Sequence, residues 1–311
     1  MAALSKIDIR ENILRSKGRV LDILLIDQTK STKKNTRNII WATDSYQHVN
    51  KKDYAPNKPI LKEQITGLNG KRIQPRASKS RVEQLRRTKD KAEVFTPLHV
   101  VAEMNKAVAK NLNLSKDHTW LDFINTKWLE IACGEAPYIA SRYDPTSTKQ
   151  AIVPLKKRVG FLDLKMQAIN KHVSDRDDWF HHAKTALKSC YGYEWQGDNL
   201  LIARENVLLT MNDFYSDKFN KNLSVDQLEK FAEIISWNIF QMDGINYTVP
   251  FTRVVEKHKV VEDGSGMFTA EMLGEEKREY TVEVKKEGRK VKIMDWEAGK
   301  IIKFVSLLEK S

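Results

Sequence analysis

Trp128-Leu129-Glu130-Ile131-Ala132-Cys133-Gly134-Glu135-Ala136-Pro137-Tyr138 decides how the rest of this chain is read. A short apolar run enters an acidic residue and then a set of small side chains around one Gly. That pattern predicts a buried strand breaking into a tight turn, where small residues let a ligand approach backbone N–H groups. Open α/β sheets hold cofactors at such strand ends. With a single Gly the stretch is neither a dinucleotide fingerprint nor a phosphate loop. An ordinary strand-to-helix turn fits the same residues.

The surroundings predict a parallel sheet. Val100, Val101, Met104 and Val108 recur at helical spacing over 98–110. Residues 121–128 read as a loop or short strand, 129–132 as the strand entering the turn, and 142–158 as a surface insertion. Helical periodicity returns over 161–169 and 179–187, then a strand over 190–195, a helix over 200–209, a helix over 228–235 and a strand over 237–242. Helix and strand in alternation require parallel pairing. Upstream, Val20–Ile26 and Asn38–Ala42 read as two strands of a small N-terminal extension, and residues 50–75 as a linker. Downstream, Phe268–Leu273, Tyr280–Lys285 and Lys290–Met294 alternate weakly between Gly-containing turns and read as hairpins. The division expected is an extension over 1–70, a basic segment over 71–92 and a cofactor domain over 93–311, with hairpins from about residue 251.

The formal net charge of +12 suits a polyanionic partner. Its densest run is 71–91, where Lys71, Arg72, Arg76, Lys79, Arg81, Arg86, Arg87, Lys89 and Lys91 meet only Glu83 and Asp90. Arg72, Arg76, Arg81, Arg86 and Arg87 are candidate contacts to DNA phosphates; a solvated basic helix is the alternative. No aromatic residue interleaves, which argues against stacking on single strands. Two cysteines, Cys133 and Cys190, build no disulfide framework and suit a reduced, cytoplasmic setting. Charged residues at Lys6, Asp8, Arg10 and Glu11 interrupt any leader-like run. No apolar stretch approaches the roughly 18 residues that span a bilayer. His181-His182 has no third ligand near it in sequence, so no metal site is expected.

Four segments lie in order around the glycine turn: Glu93-Val94-Phe95-Thr96-Pro97, Tyr191-Gly192-Tyr193-Glu194-Trp195, Asp198 through Asn206, and Asn238-Ile239-Phe240-Gln241-Met242-Asp243-Gly244. Together they resemble the adenine-specific (N6) DNA methyltransferases of restriction–modification systems, in particular proteins called restriction endonuclease subunit M. The resemblance covers residues 80–250. It implies a Rossmann-like sheet, S-adenosyl-L-methionine as cofactor, and double-stranded DNA as substrate. It also implies a restriction or specificity subunit, or a second copy, as partner, and no membrane. Carried over residue by residue, it puts the ribose hydroxyls on Glu194; Trp195, directly after it, suits either the cofactor's adenine face or a core or boundary position. Glu130, Cys133 and Gly134 fall at the amino-acid end, and Phe95 and Thr96 over the methionine part. Asp243 falls at the exocyclic amine of the cofactor's adenine.

One part of the family pattern is missing. No Pro-Pro tetrapeptide follows the sheet, and the nearest candidate for holding an extruded base is Asp295-Trp296, with Asp295 accepting from the amine and Trp296 stacking. Fifteen residues follow Trp296, fewer than the remaining strands of the family need. The expectation is that the N-terminal strands or a partner complete the sheet, or that the protein is a non-catalytic subunit. Glu283-Val284-Lys285 with Asp263 upstream keeps a metal-dependent nuclease as an alternative.

Overall fold

The computed structural model describes residues 18–111, 119–147, 151–252, 254–262 and 278–310. Three short strands, β1 (Trp128–Glu130), β2 (Cys190–Glu194) and β3 (Ile239–Gln241), form a parallel sheet in the order β1-β2-β3. Two helices precede β2 and two precede β3. These are α5 (Phe161–His172) and α6 (Arg176–Lys188), then α7 (Gly197–Phe219) and α8 (Val225–Asn238). Right-handed crossovers between successive parallel neighbours set these helices on one face of the sheet. On β2, Cys190, Gly192 and Glu194 are buried toward the helices, while Tyr191 and Tyr193 point the other way.

That second face is covered by an antiparallel hairpin, β6 (Lys292–Asp295) with β7 (Lys300–Lys303). Val291, Ile293 and Phe304 pack there against Phe240, Met242, Tyr191 and Tyr193. A further hairpin pairs β4 (Val254–Glu262) with β5 (Arg278–Lys286). The protein is thus a mixed α/β fold with a small parallel sheet and C-terminal hairpins. Among the described residues no helix is long and apolar enough to cross a membrane.

α7 is buried along nearly its whole length, and two of its polar residues, Arg204 and Asn206, spend their donors on main-chain carbonyls of neighbouring segments. Arg204 donates to four main-chain carbonyls, those of Leu24, Ile26 (2.9 Å), Ser236 (3.1 Å) and Ile239 (2.7 Å). It thereby joins the N-terminal segment, the end of α8 and the start of β3. Asn206 donates to Glu135 O and Ala140 O and fixes the turn that follows β1.

Several expectations are corrected. Val20–Leu25 is a helix, α1, packed on α8. Its apolar residues at 20, 21, 23, 24 and 25 satisfy a helical stripe as well as a buried strand. Asn38–Ala42 is extended but forms only isolated bridges, Ile26 to Asn38 and Ile40 to Pro59. The Gln241 side chain, not a ladder, joins Ile40 to β3, through Ile40 N–H (2.9 Å) and Ile40 O (2.9 Å). The stretch read as a linker buries Tyr54, Ile60, Ile65 and Ile73 in the main core. α4 (Trp120–Asn125) replaces the loop expected before β1, because Thr119 and Asp122 cap it reciprocally. The expected surface insertion carries buried Arg142 and Arg158, both ion-paired to Asp213 on α7. The helix expected over 98–110 is observed as α3 (Leu98–Asn111), and the basic run forms α2 (Arg81–Lys91). Phe268–Leu273 and Asp263 lie outside the described residues.

Candidate functional site

Parallel pairing brings the carboxyl ends of the three strands side by side. Glu130 pairs with Gly192 and Glu194 with Gln241, two residues before Asp243. At about 4.8 Å per strand, the three ends span roughly 10 Å.

The turn after β1 folds over the end of β2. Cys133 N–H donates to Tyr193 O (2.8 Å), and Gly134 N–H donates to Glu194 Oε2 (2.8 Å). Gln196 N–H donates to the other oxygen, Oε1 (3.0 Å). Each Glu194 oxygen keeps a second lone pair for an incoming hydroxyl. Burial pushes the Glu194 carboxyl up to about 6 despite those two N–H groups. The Glu130 carboxyl accepts from Tyr138 N–H (3.2 Å) and Ile139 N–H (3.0 Å), and burial pushes it up to about 8. Glu135, which the sequence reading did not assign, accepts from Arg76 N–H (2.7 Å) and the Tyr143 hydroxyl (2.8 Å). Burial pushes it up to about 7. Its place beside Gly134 was the available signal.

Gly134 has φ +54, and a Cβ there would meet the Phe95 ring at 3.0 Å. Glycine is therefore favoured by both backbone and space. Ala132 (φ 47) and Ala136 (φ 59) flank it in the same left-handed region. Tyr247 (φ 56) and Phe251 (φ 59) do so in the loop after β3. Ala42 (φ 49) accepts from Trp195 Nε1 (3.0 Å), and Ala92 (φ 51) precedes the Phe95 segment. Each such residue costs about 1–3 kcal/mol, and clusters of them persist mainly where a site requires the shape.

Phe95 covers the turn, with the Arg76 guanidinium 5.0 Å from its ring centre; Thr96 follows, half-buried, at the entry to α3. The Trp195 ring meets Phe251 edge-on at 5.3 Å. Asp243 accepts from Ile245 N–H (2.9 Å), Asn246 N–H (3.1 Å) and Asn246 Nδ2 (2.7 Å), so its carboxylate caps its own loop. Cys133 faces inward: its Sγ lies 3.3 Å from where a Gly192 Cβ would stand, and burial pushes its thiol well up. It fills the core beneath the turn.

Asp295 and Trp296 are not brought to this site. Trp296 Nε1 donates to Asn238 Oδ1 (2.7 Å), and the Lys188 ammonium lies 4.8 Å from its ring. Asn238 and Lys188 precede β3 and β2, so the pair sits at the amino ends of the strands. β2 is five residues long, which puts the pair about 15 Å from the acids at 3.3 Å per residue. Asp295 accepts from Ala298 N–H (3.1 Å) and closes the hairpin turn.

The basic segment divides by exposure. Arg81 and Arg86 are exposed on α2. Arg72 donates to Tyr54 and to Asn69 Oδ1 (2.8 Å), and Arg76 to Thr88 Oγ1 (2.9 Å). Arg87 is 1% exposed and ion-paired to Glu93 and to Asp198 (2.7 Å), so it is a core residue and no phosphate contact. Beside α2 a cavity of about 530 Å3 is lined by Lys71, Arg72, Lys79, Arg86 and Glu83, among others.

Among the described residues no group of three His, Cys, Asp or Glu is placed to hold a metal ion. Comparison with known proteins finds no matching family model, no curated protein and no solved structure that matches the chain. Fold and site therefore stand on their own geometry: a mixed α/β protein with three buried carboxylates, Glu130, Glu135 and Glu194, gathered at the ends of its parallel strands.

Proposed function

We propose that the strand-end site binds S-adenosyl-L-methionine and that the protein is a DNA-binding modification subunit of the adenine-methylating kind. The observation that carries this is the Gly134 N–H to Glu194 carboxylate bond at 2.8 Å, at the carboxyl ends of parallel strands. A carboxylate there is suited to two ribose hydroxyls. The Glu194 carboxylate, ionised above about pH 6, makes the surroundings negative, which favours a ligand bearing an ammonium and a sulfonium over one bearing a pyrophosphate. In this reading the sheet is the first half of a Rossmann-like methyltransferase sheet. The distance of Asp295-Trp296 from the acids favours a subunit whose base-holding residues come from a partner.

Calorimetric titration with S-adenosylmethionine tests the reading. Glu194→Ala should weaken binding about ten- to a hundredfold, the loss of a charge-assisted hydrogen bond. Affinity of the unmodified protein should fall as pH drops through about 6, because protonation removes acceptor capacity from Glu194. A folded Glu194→Ala protein with unchanged affinity would remove Glu194 from the site. Incubation with methyl-labelled cofactor and mixed-sequence DNA, with and without neighbouring gene products, then separates an autonomous enzyme from a subunit.

DNA contact has its own measurement. Replacing Arg81 and Arg86 together by alanine should lower the slope of log affinity against log salt by about two, on all sequences alike. An unchanged slope in an anisotropy titration would make both residues plain solvated surface.

A further inference from the structure

β1 pairs with β2 on one side, and no described strand pairs with its other side. Trp128 N–H donates to Ser189 O (2.8 Å) on the β2 side, so strand alternation turns the N–H and C=O of Leu129 outward at the open edge. The edge is apolar: Leu129 is 41% exposed and Ile131 68%. Bare apolar edges invite pairing, and proteins ordinarily blunt them with charge, proline or a covering segment.

A cavity flanks this strand on each face. Toward the hairpin, about 200 Å3 is lined by Leu129, Tyr191, Ile293, Ile302, Phe304 and Leu307, with Lys127 also in its wall. Toward the helices, about 300 Å3 is lined by Met104, Val108, Trp128, Ile131 and Tyr138, with Leu129 shared. An added strand would project successive side chains to opposite faces, hence alternately into one cavity and the other.

We propose that the open edge of β1 takes up an extended segment of a partner protein as a fourth strand, with apolar side chains at alternate positions seated in the two cavities. A docked helix would leave the outward polar groups of Leu129 unpaired. The β1 strand of a second copy lacks the side chains for the task. Its Trp128 already stacks on Phe161 (4.1 Å between ring centres), and its Glu130 is held by the turn. Neither can enter the helix-side cavity opposite. Lys300 and Lys303 are exposed near the hairpin-side cavity, where Lys127 is ion-paired to Glu297 (2.8 Å) and Asp295 stands in the wall, so an acidic flank on the segment has these two lysines to meet.

The test uses the full chain and a short labelled peptide of alternating Ile and Thr with Glu at its ends. Anisotropy should show binding, and a peptide of the same composition with its isoleucines contiguous should bind about tenfold more weakly or worse. N-methylation should abolish binding at one set of alternate amides and be tolerated at the other. Leu129→Lys and Val108→Lys should each weaken binding about tenfold. Val108 lies on α3, away from the sheet hydrogen bonds, so this variant keeps the test informative should Leu129→Lys fail to fold. The Leu129 amide should exchange freely in the protein alone and slow when peptide is added. Absence of binding, or equal binding of both peptides, overturns the proposal. A dimer in sedimentation that Val108→Lys or Leu129→Lys dissolves gives the edge to a second copy. A Leu129 amide already protected in the monomer gives it to another segment of this chain.

Discussion

Arg87→Ala is expected to destabilise the fold by about 3–5 kcal/mol, the usual effect of removing one partner of a buried ion pair. The guanidinium bridges Glu93 and Asp198 and ties α2 to the first turn of α7. Asp198 also accepts from the Tyr46 hydroxyl (2.8 Å). Burial pushes the Asp198 carboxyl up, but Arg87 and its other partners hold it below the usual carboxylate range. Without Arg87, two buried carboxylates face each other with their main counter-charge gone. Asp198 must then take up a proton or drag water into the core. Its contribution in the unmodified protein has the sign of a depressed acid. It is present above the unfolded value and is lost as pH falls through the folded one. Urea unfolding near pH 7 reads the effect as a lower midpoint with unchanged slope. Arg86→Ala is the control, expected within about 0.5 kcal/mol of the unmodified protein because its side chain is exposed. Equal midpoints for the two variants would show that the Arg87 cluster contributes nothing to stability.

That adjacent arginines behave so differently was not legible in the sequence. The basic run 71–91 reads as one charged face, and Arg87 is singled out only by Asp198, 111 residues away. The parallel pairing of β1, β2 and β3 was legible, because long periodic helices between short apolar runs leave few other arrangements. Glu130 and Glu194 fell at strand ends for the same reason. Their joint contact with the glycine turn follows from parallel pairing, which local pattern supplies. Val20–Leu25 was misread because five apolar residues in six fit either period. Asp295-Trp296 was misplaced for a different reason. Which end of the sheet a hairpin tip reaches is fixed by Phe304 and Ile293 packing on Tyr191 and Phe240, a tertiary choice with no local signature.

The second large effect is the pH dependence of stability set by Glu130. Burial pushes this carboxyl from 4.5 to about 8, against the pull of the Tyr138 and Ile139 N–H groups, and the Glu194 carboxylate pushes it up further. A raised acid binds its proton more tightly in the folded state. Between about pH 4.5 and 8 the folded chain therefore holds more protons than the unfolded one, and stability falls as pH rises. A shift of this size corresponds to an order of 3–5 kcal/mol across the window at 1.36 kcal/mol per unit. Glu135, Glu194 and Asp163, raised by burial to about 7, 6 and 6, act with the same sign over narrower windows. The protein should thus be more stable near pH 5.5 than near pH 8. Glu130→Gln keeps an oxygen to accept from the turn but has no proton to lose. Its stability should fall much less between those two pH values, the remaining slope coming from the other three acids. Urea midpoints at pH 5.5, 7 and 8 for both proteins make the comparison. Parallel pH profiles would mean that Glu130 is ionised in the folded protein at neutral pH, with its charge carried by the two N–H groups of the turn.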